Sequence, residues 1–263
     1  MEIERDAWNG ELYGRNSAHH RRYDEPFLAT LPLRPTDEVL DAGCGTGDFT
    51  IKLAARVPQG RVVGLDASPS QIAAATAHAR SNVGLVVGRA EDLDGSLGDR
   101  RFDAIVSRAT LHWLPEARHP DLLRSFMRHL RPGGLLRVEM GGAGQIAAVR
   151  AIIDDVSAAL GGPRSPWFFP EPATYRALLE AAGFELHQGF VALLEQRRSM
   201  PTRDELLGFL RSQVFLAYEP RLTPMQCERL RTRVEARADE LRRPDGTYDL
   251  DFVRLDVLAH APG

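Results

Sequence analysis

Short apolar runs alternate with amphipathic stretches over the first half of the chain, and this rhythm predicts its elements. EVLDAG (38–43) is a brief apolar strand that runs into a glycine loop. In DFTIKLAARV (48–57) apolar residues recur at helical spacing until Pro58 and Gly60 stop the pattern. RVVGLDA (61–67), VGLVVG (83–88), FDAIVS (102–107) and LLRVEM (135–140) read as further strands. After the second strand, Ser68 is placed as a helix cap, with Pro69 at the first helical position and Gln71 closing a capping box. That helix is expected to reach about Arg80. DLLRSFMRHL (121–130) forms another, closed by Arg131-Pro132-Gly133-Gly134. Strands that alternate with helices pair in parallel through right-handed crossovers. The fold class is therefore α/β, a doubly wound and mainly parallel sheet.

After Met140 the rhythm changes. Residues 144–160 and 172–184 read as helices, and 184–196 contains a strand. Thr202 with Glu205 makes a capping box, opening a helix that carries Leu206, Phe209, Phe215 and Tyr218. Residues 227–241 form an arginine-rich amphipathic helix and 251–261 a last strand. The expected organisation is a single domain. Residues 1–35 form polar lid helices, 36–196 and 248–263 the core, and 197–247 a helical cap inserted between the last two strands.

Composition narrows the class. Of 263 residues, 43% are hydrophobic and 26% charged, the balance of a soluble globular chain rather than a disordered one. The net charge of -3 speaks against a nucleic-acid partner, because phosphate contacts need a clustered cationic surface. Cys44 and Cys227 are too few and too far apart for a disulfide scaffold or a zinc motif, so no metal is expected. Lys52, the single lysine, falls on what reads as a solvated helix face. No signal-peptide core or membrane-length apolar run is present. A cytoplasmic monomer or homodimer without a membrane partner is the expectation.

The chemistry concentrates in Leu40-Asp41-Ala42-Gly43-Cys44-Gly45-Thr46-Gly47, where a strand ends, the chain turns through glycines and a helix begins. In doubly wound folds ligands bind at such carboxyl ends. A dinucleotide fingerprint would need glycine or alanine where Asp48 stands, and Asp41 and Asp48 would both face a pyrophosphate. The charges suit a cationic ligand better. Asp66 ends the second strand near the distance at which an acidic residue meets a ribose.

LDAGCGTG, GLDAS, RAEDL, FDAIVSRATLHWL and LRPGGLLRVEM, in this order, resemble class I S-adenosylmethionine-dependent methyltransferases over about residues 36–140. The resemblance implies S-adenosyl-L-methionine as cofactor, with Gly43, Gly45 and Gly47 along its methionine and ribose. It places Asp41 at the amino group and Asp66 at the ribose hydroxyls. Ala67 and Ser107 complete the strand-end contacts, and the backbone of Ala90 meets adenine. Where the family often carries an aspartate toward the adenine amino group, this chain has Arg89, which cannot accept a bond. Glu91 or Asp92 is then the candidate acceptor, and Arg89 a surface side chain.

WNGELY (8–13), LHW (111–113), PWFFPEPATYRALLEAAGFE (166–185) and DGTYDLDFVRLDVLAHA (245–261) further resemble the small-molecule branch that includes trans-aconitate methyltransferases. That implies a small acceptor, with O-methylation of a carboxylic acid or hydroxylated metabolite preferred. The alternative is C-methylation of an aromatic or enolisable carbon, with His112 as base and Arg108 orienting the anion. Trp113 offers an apolar wall and one N–H donor. Tyr13, Asn16, His20 and Trp167 are the candidate acceptor contacts. A non-catalytic cofactor-binding protein is the reading from another class.

Overall fold

The structure is a computed structural model and describes residues 24–263. A short helix, α1 (Asp24–Ala29), precedes the first strand β1 (Glu38–Ala42). Then follow α2 (Asp48–Arg56), β2 (Arg61–Asp66), α3 (Pro69–Thr76), β3 (Val83–Val87), α4 (Leu93–Leu97) and β4 (Phe102–Arg108). The chain continues through α5 (His119–His129), β5 (Leu130–Gly141), α6 (Ala147–Ala159), α7 (Pro172–Ala181) and β6 (Glu185–Arg198). It ends with α8 (Arg203–Phe209), α9 (Pro224–Ala236) and β7 (Leu250–His260).

Seven strands form one sheet in the order β3-β2-β1-β4-β5-β7-β6. β1 to β5 pair in parallel, and β7 lies antiparallel between β5 and β6. The parallel strands are covered on both sides, which is why they read as nearly continuous apolar runs. Leu40, Leu65, Ile105 and Leu136 pack toward Leu122, Leu123 and Phe126 of α5. Val39, Val62 and Val106 point the other way, toward Leu53 of α2 and Phe27 of α1. A third core joins α6, α8 and α9 to Phe252 at the start of β7, so the segment between β6 and β7 has apolar packing of its own.

Ser68 caps α3 by accepting from the Gln71 N–H, but the reciprocal half of the expected box is not made: Gln71 Oε1 is buried without a partner. The helix also stops at Thr76, short of Arg80. The Thr202–Glu205 box forms as expected, and a second box, Thr223 with Gln226, opens α9. The long helix expected after Thr202 breaks at Phe209 into a π turn, Leu210–Val214. Its cause is local: Ser212 Oγ donates to the Gly208 carbonyl at 2.7 Å, competing with the helical ladder next to a glycine. Lys52 is not simply solvated; its Nζ lies 2.8 Å from Asp24 Oδ2 and ties α2 to α1. No helix among the described residues is long and apolar enough to cross a membrane.

Candidate active site

The crevice opens where β1 and β4, neighbours in the sheet, both end. At Gly43 the backbone takes φ +82, and a Cβ there would lie 2.2 Å from the Thr110 side chain. Gly45 is also left-handed at φ +54, but a Cβ on it would meet nothing within 4 Å, so this glycine faces open space. Two N–H groups of the loop, Gly43 and Cys44, donate to the Leu65 carbonyl. Asp66 completes the turn: one carboxylate oxygen accepts from Gly45 N–H at 2.9 Å and the other from Ser68 N–H at 2.9 Å. Each oxygen keeps a lone pair for a ligand hydroxyl.

Asp41 is fully buried and accepts from Thr50 Oγ1 at 2.7 Å. Burial pushes its carboxyl up to about 6, although the Thr50 bond and the Arg108 charge pull it down. The Asp66 charge adds to the rise. Burial raises Asp66 as well, against its two backbone donors. A buried carboxylate that is costly to ionise is stabilised by an arriving cation. The pair thus fits a ligand bearing an ammonium and a sulfonium and fits a pyrophosphate badly. With the open cradle at Gly45, these residues suit S-adenosylmethionine.

Where the resemblance places adenine, Ala90 is buried and Ala67 half-buried. Asp92 is occupied as the cap of α4, accepting from Gly95 N–H at 3.1 Å. Arg89 is not a free surface chain: it folds onto Glu91, 3.1 Å from its Oε1. Glu91 Oε2 has no part in that pairing. Ser107 is committed within the sheet. It is completely buried and its hydroxyl donates to the Ala42 carbonyl at 2.7 Å, so the side chain ties β4 to β1.

Beside the glycine loop lies a pocket whose empty space, counting the part open to solvent, is about 440 Å³. The turn after β4 supplies Ala109, His112 and Trp113. Trp167 and Phe169 form one wall, and the π turn with the end of α8 supplies Phe209, Gln213 and Val214. Gln145, Ile146, Phe252 and Arg254 close the rest. Two non-glycine residues among those described have positive φ, Ala109 at +53 and Ile146 at +43, and both line this pocket. Such backbone strain gathers at functional sites.

His112 is buried against Trp113 and Phe169. Its Nδ1 accepts the Gly141 N–H at 3.3 Å, which assigns the neutral tautomer with the proton on Nε2. Burial, with the charges of Arg254 and His119 added, holds its pKa well below the usual range for histidine. His112 is therefore built as a neutral donor rather than a base. Arg108, expected beside it, is turned elsewhere. Its guanidinium pairs with Asp24 of α1 and with Glu139 of β5, and lies over the rings of Phe27 and Phe49. It is an internal strut with its charge already met, which corrects its assignment to an acceptor anion.

Trp113 and Trp167 meet edge to face at 5.5 Å, and Trp167 stacks on Phe169 at 5.7 Å. Phe168, between them in sequence, turns into the main core against His119. Tyr13, Asn16 and His20 lie outside the described residues. Sequence reasoning missed Gln145, Gln213 and Arg254. A signal for Arg254 was present: it falls in phase with Phe252 on a strand whose alternation buries that face.

Comparison with known proteins agrees with this geometry. A methyltransferase domain profile matches residues 39–134. The chain is 36% identical over 188 residues to a trans-aconitate 2-methyltransferase of Deinococcus radiodurans, covering 67% of this chain and 69% of that protein. It is 34% identical to an uncharacterized methyltransferase of Schizosaccharomyces pombe, over 97% of this chain and 98% of the relative. The crystal structure of the YcgJ protein of Bacillus subtilis superposes with a TM-score of 0.63 at 18% identity, over 93% of this chain and all of that one. This chain belongs to the class I S-adenosylmethionine-dependent methyltransferases, and it is an enzyme of the small-molecule kind.

Proposed function

We propose that the enzyme esterifies a carboxylate oxygen of a small acid. The observation that carries this is the buried Arg254 in the acceptor pocket beside a histidine held neutral. S-adenosylmethionine, when bound, supplies an electrophilic methyl group. A carboxylate is already a nucleophile and needs no base; it needs donors that place it and walls that exclude water. The Arg254 guanidinium in the pocket lining brings a positive charge to its side of the crevice. His112 Nε2 can add a single donor. Asp41 and Asp66 hold the amino and ribose ends of the cofactor, and Gly43, Gly45 and Gly47 let it lie against the backbone. Trp113, Trp167 and Phe169 keep water from the reacting atoms.

The C-methylation alternative loses its support, because Arg108 is committed to Asp24 and Glu139 and His112 is not placed to take a proton. We read the chain as one working unit, a monomer or homodimer in the cytoplasm. In it the 197–247 segment covers the crevice; of the expected lid, 1–35, residues 1–23 lie outside the described residues. The test is the chemical lability of the product. Protein, methyl-labelled cofactor and a panel of carboxylic acids should give label that mild alkali releases as methanol. Label that resists alkali, as in an ether or a C–CH₃ bond, would overturn the reading.

A further inference from the structure

One face of the sheet carries a row of buried charges that runs from the cofactor loop to the underside of α1. Asp41 on β1 pairs in register with Val106 on β4, and Arg108 on β4 with Glu139 on β5. Residues two apart on a strand share a face. Asp41, Arg108 and Glu139 therefore look to the side on which Val106 packs with Phe27 of α1 and Leu53 of α2. Asp24, Asp41 and Glu139 are at most 5% exposed, and the Arg108 side chain 8%, so these charges act on one another with little water between them. Arg108 is the hub. Its Nη1 pairs with Asp24, its Nη2 lies 3.2 Å from Glu139, and its Nε is buried with no hydrogen-bond partner. Asp24 is held from a second side by Lys52 Nζ of α2, at 2.8 Å.

The charged and titratable groups around Asp41 come from every element packed on it. β4 brings Arg108, β2 brings Asp66 and the glycine loop Cys44. α2 gives the Thr50 hydroxyl, and its Lys52 is turned to Asp24 of α1 with a third of its side chain exposed. Of these, Arg108 is the buried cation. Without it Asp41 would stand among carboxylates alone: Asp66, Asp24 and Glu139.

We propose that Arg108 is a positioning residue for the cofactor: its buried charge stands behind the Asp41 carboxylate that receives the ammonium, and Asp24 of α1 sets how much of that charge reaches Asp41. This rests on the assignment of Asp41 to the ammonium. Arg108 thus works as more than a strut, and α1 acts on the cofactor without touching it.

The experiment is calorimetric titration of the full chain with S-adenosylhomocysteine between about pH 5 and 8, for the wild type, Arg108→Met, Asp24→Asn and Lys52→Gln. Wild-type affinity should fall on the acid side as Asp41 takes up its proton. Arg108→Met should move that fall upward by about one pH unit, which is about tenfold in affinity on the acid limb, because a lost opposite charge favours the neutral carboxyl. Asp24→Asn should move it the other way. With one competing carboxylate gone, the Arg108 charge is left more fully to Asp41, and binding at about pH 5 should tighten about threefold. Damage to α1 would only weaken binding, so the opposite signs separate charge from misfolding. Lys52→Gln loosens the same contact of α1 with α2 and should bring no gain at acid pH. Removal of a buried cation can unfold a protein; if Arg108→Met does not fold, Asp24→Asn decides by itself. Unchanged or weaker acid-side binding in Asp24→Asn, or an equal gain in Lys52→Gln, would overturn this inference and leave Asp41 at the ammonium. A wild type without an acid limb, or an Asp41→Asn variant that binds as tightly as the wild type, would remove Asp41 from the ammonium and this inference with it.

Discussion

On one side of the crevice two buried carboxylates, Asp41 and Asp66, face a glycine loop; on the other, one buried arginine, Arg254, faces a box of indole and phenyl rings. Thr110 sits between them, its hydroxyl 3.1 Å from the Gly43 carbonyl. For the proposed reaction the opposite signs would have a use: the cationic cofactor would be repelled from the arginine and drawn to the carboxylates, and an acid would be sorted the other way. In a desolvated site both effects are stronger than in water. The sides differ in construction as well. The acidic side comes from two consecutive strand ends, whereas the aromatic side gathers residues from 109 to 254.

The sharpest way to break the acidic side alone is Gly43→Ala. Its Cβ would collide with Thr110 at a backbone conformation alanine rarely adopts. We expect S-adenosylhomocysteine affinity to fall more than about a hundredfold by calorimetry, the cost of strain plus a displaced loop. Wild-type affinity would mean that Thr110 can yield.

Arg254→Gln should break the other side alone. Acid kcat/KM should drop about a hundredfold, as expected for one partner of a buried charge pair. Cofactor affinity should hold. Loss of both together would show that the two sides are not separable.

Asp41 sharpens the contrast through pH. Burial lifts it from 3.8 to about 6, so the folded protein holds this proton more tightly than the unfolded chain. The stability this gives is fully present below the unfolded value and is lost as pH rises through about 6. Ligand-free Asp41→Asn should therefore be more stable than the wild type at neutral pH, by about 3 kcal/mol on the linkage scale. It should also bind S-adenosylhomocysteine poorly. In the wild type, that affinity should fall about tenfold per pH unit below the Asp41 value, because the ammonium needs the ionised carboxylate. A melt that drops in Asp41→Asn would refute the account of Asp41.

The smallest effect is an expected absence of one. With His112 neutral throughout, acid kcat/KM should be flat between about pH 6.5 and 8.5. An ascending limb there that disappears in His112→Gln would restore histidine as a base.

The sheet was legible in the sequence because each parallel strand is a contiguous apolar run and each helix has its own period. The cofactor loop was legible because Asp41, the glycines and Asp66 lie within 26 residues of chain. Arg108 misled because a spacing of four from His112 looks like one helical face, whereas β4 extends through Arg108 and a left-handed Ala109 separates the two. Arg254 and Gln213 were not read as site residues. Their place depends on an antiparallel pairing between β5 and β7 and on a π turn, and local periodicity encodes neither. Within Trp167-Phe168-Phe169 the sequence left core and pocket wall open, and the alternation answers with both.

The antiparallel pairing of β6 and β7 has one more consequence. Arg198 and Leu250 are direct partners in that ladder, so the chain leaves and re-enters the sheet at adjacent points. A tight turn could join them. Everything between is, for the sheet, an excursion of arbitrary length, and loop-closure entropy grows only slowly with length. The excursion carries Phe209, Gln213 and Val214 of the pocket. A descendant could exchange it for another and change its diet of acceptors while inheriting the cofactor loop untouched. In an engineer's terms, 198 and 250 are the natural splice points for swapping specificity between relatives.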